Sequence, residues 1–227
     1  MARQIVLGDA AATSALVRWR DIEDDERLVA AHPLLHAGVA HVAHYQIRNR
    51  GTVGGSLAHA DPAAELAGIA VTCEAEIAVV GNSGTRVIRA AEFFHGPLTT
   101  ALASDEIIVE VRLPPWPAGR RWGFQEFARR RGDFALAAAA VFYDEDEAGK
   151  TRNAHVGAVG VADRPVRLHG AEAAINGQAI DEETIAKAEA AASSEVNPES
   201  DIHASGAYRR ALIGTMVERA LRDARAS

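Results

Sequence analysis

An α+β fold in two parts is predicted by three observations. The β-rich runs Glu76 to Val80 and Thr85 to Arg89 flank Gly81-Asn82-Ser83-Gly84 as an antiparallel hairpin. Stretches with helical spacing lie on both sides of it, and Pro114-Pro115-Trp116-Pro117 interrupts the chain near its middle. With 227 residues, 48% of them hydrophobic, the chain can bury one large core or two modest ones. The proline cluster is the expected boundary, giving parts 1–115 and 116–227.

Taken in order, Gln4 to Leu7 reads as a short strand, and the small residues from Gly8 to Ala15 promise little fixed structure. An acidic start at Asp24 suits a helix reaching His32, where Pro33 interrupts it. Leu34, Leu35, Val39 and Val42 then recur at helical spacing to about Tyr45. Three glycines between Arg48 and Ser56 mark a specialised loop, and Asp61-Pro62 offers an N-cap and first-turn proline for a helix over 63–71. After the hairpin and a short helix at Ala90 to Phe94, Glu106 to Leu113 alternates apolar and charged residues as a strand does. The second part offers strands at Trp122 to Ala128, Phe134 to Tyr143 and Ala154 to Val161, with an acidic turn at Asp144 to Lys150. It closes with helices over Asp181 to Ser194 and Ser205 to Arg225, the second with Leu212, Met216, Val217 and Leu221 along one stripe. No internal repeat is present.

Composition narrows the chemistry. The longest apolar run, Phe134 to Tyr143, is too short to cross a bilayer, and no basic segment with an apolar core opens the chain, so a cytoplasmic protein is expected. Cys73 is the only cysteine, which rules out an internal disulfide and any iron–sulfur cluster held by four thiolates of this chain. A formal charge of -7 argues against nucleic acid as ligand, although Arg129 to Arg131 are locally basic and suit a solvated face or a contact between subunits.

The run from Gln46 to Glu65 carries the functional signal. Gly51, Gly54 and Gly55 can take positive φ and lack a Cβ, so consecutive amides could converge on a phosphate. Thr52 and Ser56 would add hydroxyl donors, while Asp61 and Glu65 would accept from sugar-like hydroxyls. The same composition suits a plain tight turn, and spacing alone leaves both readings open. The segment lacks the Lys-Ser or Lys-Thr ending of a P-loop and the glycine spacing of a Rossmann unit.

Gln46-Ile47-Arg48-Asn49-Arg50-Gly51-Thr52-Val53-Gly54-Gly55-Ser56, followed by Ala60-Asp61-Pro62-Ala63-Ala64-Glu65, resembles the second flavin-contacting motif of the molybdenum hydroxylase flavoproteins, the xanthine dehydrogenase and carbon monoxide dehydrogenase medium subunits. Arg18 to Glu23 upstream and Phe124 to Ala135 downstream are similar to the same family, so the resemblance covers nearly the whole chain. It implies an α+β flavin domain whose second lobe has an antiparallel sheet and helices, then a smaller domain with a three-stranded antiparallel sheet. FAD is the implied cofactor. The implied partners are a molybdopterin-binding large subunit and a small subunit with two [2Fe-2S] clusters. The implied role is electron transfer from those clusters through FAD to NAD+, quinone or oxygen, with no catalytic side chain here.

Carried over by position, Thr52, Gly54, Gly55 and Ser56 would hold the FAD pyrophosphate region, Glu65 stands where the family places a carboxylate near the flavin, and Asp133 and Phe134 would lie closer to the isoalloxazine. Arg48, Gly51, Val53, Asp61 and His59 complete the expected cofactor contacts, His59 beside a phosphate or in a structural role. Relatives commonly have asparagine at the place of Ser56 and often a lysine near Gln125 and Glu126. They also begin with a further lobe carrying an Ala-Gly-Gly loop. No such loop occurs here, and Gly8 to Arg18 stands where Gly-Ala-x-Thr-Arg is expected, so a separately encoded first lobe becomes a candidate partner and a flavin-free assembly remnant the alternative reading. Gly54→Val or Gly55→Val is expected to remove FAD while sparing the fold. His32 with His36 and His41 with His44 have ligand-like spacing, but Pro33 separates the first pair and no third ligand completes either, so no metal is expected. Cys73 reads as core.

Overall fold

The computed structural model describes residues 3–8 and 10–227. The chain opens with β1 (Ile5–Leu7), β2 (Ala11–Ser14), α1 (Trp19–Glu23), α2 (Arg27–Ala31), α3 (Pro33–Val39), α4 (Tyr45–Arg48), α5 (Val53–His59) and α6 (Glu65–Thr72). The hairpin β3 (Glu76–Gly81) and β4 (Gly84–Arg89) follows, then α7 (Ala90–Phe93), β5 (Phe94–Gly96), β6 (Thr99–Thr100) and β7 (Ile107–Leu113). The remainder is β8 (Arg121–Phe127), β9 (Ala137–Glu145), β10 (Thr151–Val159), β11 (Val166–Arg167), α8 (His169–Ile175), α9 (Glu182–Glu195) and α10 (Gly206–Ala226).

Strands β1-β2-β7-β3-β4 form one sheet with antiparallel pairing throughout, and β11-β10-β9-β8 form a second, also antiparallel. The expected three-stranded sheet of the second part is thus extended by the two-residue β11. Its central strand is buried from Ala137 to Tyr143 because both faces are covered. Ala138, Ala140 and Phe142 join the core shared with α3 and α6, while Ala137, Ala139, Val141 and Tyr143 join the core under α8, α9 and α10. Small side chains allow the close approach. An added Cβ at Gly157 would lie 1.7 Å from Thr72 Oγ1, so α6 sits directly on β10.

Capping explains the closing helices. The Asp181 carboxylate accepts from the Thr184 amide at 2.8 Å to start α9, and Ser205 Oγ accepts from the Tyr208 amide at 3.2 Å to start α10.

Several expectations are overturned. Ala11 to Ser14 is a paired strand: Ala11 and Thr13 are buried against β7, and side chains that small leave almost no hydrophobic alternation to read. The expected continuous helix ends at Val39, and Ala43 takes φ 42° before α4 begins. Asp61 does not cap a helix at Pro62. Its Oδ1 accepts the Ala63 amide at 2.8 Å and closes a turn, so α6 starts at Glu65. Helices α1 and α8 have no counterpart in the sequence reading. α1 is started by the Asp21 carboxylate accepting the Arg18 amide at 2.9 Å, only the carboxylate half of a capping box, because the Arg18 side chain has no acceptor to return the bond.

Candidate functional site

The glycine-rich segment is built differently from the expected cradle. None of Gly51, Gly54 and Gly55 has positive φ. Instead Thr52 caps α5, its Oγ1 accepting the Gly55 amide at 3.1 Å. The Gly51 amide donates to Ile47 O, Val53 to Val17 O, Gly54 to Ala15 O and Ser56 to Thr52 O, all between 2.8 and 3.0 Å. These amides are committed inside the fold, so the expected nest of free N–H groups does not exist. The glycines serve close packing: a Cβ at Gly51 would lie 2.8 Å from Trp19 Nε1, and one at Gly54 would lie 2.6 Å from the Ala15 Cβ. Gly55 alone is exposed, with Ser56 half-buried beside it.

Arg48 is also turned inward. Its Nε donates to Glu23 at 2.9 Å and its Nη1 to the Val42 and Ala43 carbonyls at 3.0 Å, making it a strut beneath α4. Val53 is buried, and His59 is exposed at the end of α5 before Ala60 turns left-handed at φ 53°.

The open space lies elsewhere. A cleft of about 950 Å3 is lined by residues from His44 to Pro97 on one hand and from Arg129 to Arg209 on the other. Its near wall contains His44, Ile47, Asp61, Pro62, Ala63 and Pro97, and its far wall contains Arg129, Gly132 to Leu136, Gly160 to Asp163, Asn197 to Ser200 and His203. Phe134 is 65% exposed and Ile47 53%, so two large apolar side chains stand in solvent where a flat ring could cover them. Gly132 takes φ 86° tight against the His44 ring, which turns the chain so that Phe134 projects outward. Asp133 lies 3.8 Å from Arg129, which leaves most of its acceptor capacity open.

Of the proposed cofactor residues, the cleft therefore brings together Asp61, Asp133 and Phe134. Arg48, Gly51, Thr52, Val53, Gly54, Gly55, Ser56, His59 and Glu65 lie outside its lining. Glu65 is 8% exposed at the start of α6, and burial holds its carboxyl up at about 7, with the Asp61 charge acting in the same direction. Sequence reasoning missed the floor of the cleft. Arg209, buried on α10, donates to the Leu136 and Gly160 carbonyls at 2.8 and 2.9 Å and pairs with Asp201 at 2.7 Å, tying three loops together. A charged residue within an otherwise apolar helical stripe was its only signal in the sequence.

Other candidates resolve into structure. The His32 imidazole is buried, accepts the Leu35 amide, and is held down to about 4 by desolvation. The Cys73 thiol is pushed up to about 12 by burial, which makes it inert at neutral pH. Among the described residues no three His, Cys, Asp or Glu side chains converge to hold a metal ion. No helix among them is long and apolar enough to cross a membrane.

Comparison with known proteins adds the rest. Residues 7–116 match the family model described as the FAD binding domain in molybdopterin dehydrogenase, and 122–224 match the CO dehydrogenase flavoprotein C-terminal domain. The chain is 37% identical over 220 residues to the nicotine 6-hydroxylase medium subunit of Paenarthrobacter nicotinovorans, covering 96% of this chain and 76% of that protein. It is 31% identical over 218 residues to the carbon monoxide dehydrogenase medium chain of Hydrogenophaga pseudoflava, covering 96% and 75%. A solved carbon monoxide dehydrogenase from Hydrogenophaga pseudoflava superposes with a TM-score of 0.94 at 33% identity, covering 99% of this chain and 78% of the other. Quinoline 2-oxidoreductase from Pseudomonas putida 86 superposes with a TM-score of 0.92 at 34% identity, covering 98% and 78%.

Proposed function

Because this chain belongs to the FAD-binding medium subunits of the molybdenum hydroxylases, we propose that it holds FAD at the cleft between its two parts and passes electrons onward from a partner subunit. FAD supplies the redox chemistry when bound. In this reading the electrons arrive from a small subunit with [2Fe-2S] clusters, substrate is oxidised on a molybdopterin-binding large subunit, and NAD+, quinone or oxygen is the acceptor. The names of the relatives, medium subunits and medium chains, support a place within such a complex, which this reading sets in the cytoplasm. A division of the chain near Pro115 is part of the same proposal.

The observation that carries it is the cleft itself. Phe134 and Ile47 offer an apolar platform, while Asp61 and Asp133 stand beside it as acceptors for ring or polyol N–H and O–H groups. Since the first-turn amides of α5 are committed, this segment has the Thr52 and Ser56 hydroxyls to offer a diphosphate. The chain's own work is to bind, to orient the ring and to exclude water from one face; no side chain here has to move a proton.

Absorbance of the purified protein tests this. The two-band visible spectrum of oxidised flavin, in the chain or in its complex with partner subunits, is the expected result. A preparation that stays colourless in both forms after incubation with FAD overturns the reading. It would favour the second reading, a flavin-free assembly remnant, for which the committed amides of Gly51, Val53, Gly54, Gly55 and Ser56 are the specific support.

A further inference from the structure

We propose that Glu65 and Glu126 together hold one proton at neutral pH, forming a coupled carboxyl pair buried between α6 and the four-stranded sheet. Glu126 sits on β8 with its side chain 5% exposed, and its Oε2 is buried without a hydrogen-bond partner among the described residues. A carboxylate oxygen left bare in the interior is costly, and protonation is the simplest way to relieve it. The one ion-pair partner of Glu126 within 4 Å among the described residues is weak: His41 Nδ1 lies 3.9 Å from Oε1. Burial and the neighbouring Arg131 both favour the neutral form of that imidazole.

Among the described residues, those lining the void beside Glu65 bring no counter-charge. From the turn before α6 comes Asp61, a third carboxylate, whose charge acts against ionisation of Glu65. β9 presents Ala138 and Ala140, β10 presents Gly157 and Val159, and β8 itself presents Phe124. The void beside Glu65 is about 10 Å3, at or below what one water needs, so water is a poor substitute for the missing partner. On the opposite face of β8, Gln125 donates to Asp223 of α10, so those groups do not face the pair. Two like charges in this setting raise each other's proton affinity. Burial lifts Glu126 to about 8, with the Glu65 charge adding to it, and lifts Glu65 to about 7.

The sign follows by linkage. The folded chain keeps protons that the unfolded chain releases in the ordinary carboxylate range, so the pair's contribution is fully present below about 4.5. It is lost as pH rises through about 7 and 8. Glu65 shares a lining with Phe124 and Ala138, which are the same-face neighbour and the register partner of Glu126, so deprotonation sets two negative charges between α6 and the sheet face beneath it.

Carbon-13 NMR of glutamate carboxyls in the full chain tests this without any bound flavin, so its failure and that of the FAD reading are separate events. Two carboxyls are expected to titrate well above the usual glutamate range. Glu65→Gln should remove one of them and lower the midpoint of Glu126. Glu126→Lys, which gives Glu65 a counter-charge, should abolish both late titrations and flatten the alkaline fall in melting temperature. Midpoints in the ordinary range overturn the proposal, as does a Glu126 midpoint unmoved in Glu65→Gln. If the lysine variant does not fold, the shift in Glu65→Gln decides alone.

Discussion

Two glycine-bearing segments of this molecule use the residue for opposite ends. In 51–56 the backbone is ordinary helix entry, the amides of Gly51, Val53, Gly54, Gly55 and Ser56 are committed, and glycine stands at 51 and 54 because Trp19 and Ala15 leave no room for a Cβ. In 132–134 Gly132 is left-handed at φ 86°, and the turn it makes pushes Phe134 out into a cleft. The first segment is a packing device next to the site and the second is a presenting device within it. A glycine cluster in a sequence reports that a Cβ is unwelcome without saying whether neighbour, dihedral or ligand is the reason.

Mutation can break or sharpen that contrast. The largest effect is expected from Gly54→Val, which was expected from sequence to spare the fold. With the Ala15 Cβ 2.6 Å from the new side chain, it should lose about 3 kcal/mol in denaturant unfolding. A variant as stable as the parent would show that packing against Ala15 is not what requires glycine at 54. Gly132→Ala comes next: a left-handed alanine costs about 1–2 kcal/mol, and the His44 ring must also shift. Thr52→Ala removes the cap of α5 and should cost about 1 kcal/mol, measured the same way. Phe134→Ala should change stability by less than about 0.5 kcal/mol, because its side chain is mostly exposed, yet lower flavin retained after gel filtration. Unchanged flavin content in that variant would remove Phe134 from the site.

Much of the architecture was legible because hydrophobic period and turn chemistry act locally. The Gly81 to Gly84 hairpin, the Asp181 and Ser205 caps, and strands β7 and β8 could be read from neighbouring residues alone. What escaped depended on distant partners. β2 is a strand because β7 lies beside it, and Arg209 is a site residue because loops some fifty and seventy positions away bring carbonyls to it. The motif from Gln46 to Glu65 identified the family correctly, but its resemblance could not reveal that Arg48 points inward or that Glu65 lies beneath the surface. Orientation of a side chain is set by the fold around it, and a motif records only its identity.

The doubly covered strand β9 has a mechanical consequence. Alternate residues along it belong to opposite cores, so a cut at the proline cluster would strip Ala138, Ala140, Phe142, Phe124 and Val159 of their cover and leave a greasy, alanine-paved sheet face in water. Neither fragment should survive on its own, and on heating the intact chain should come apart in a single step, as one object hinged nowhere.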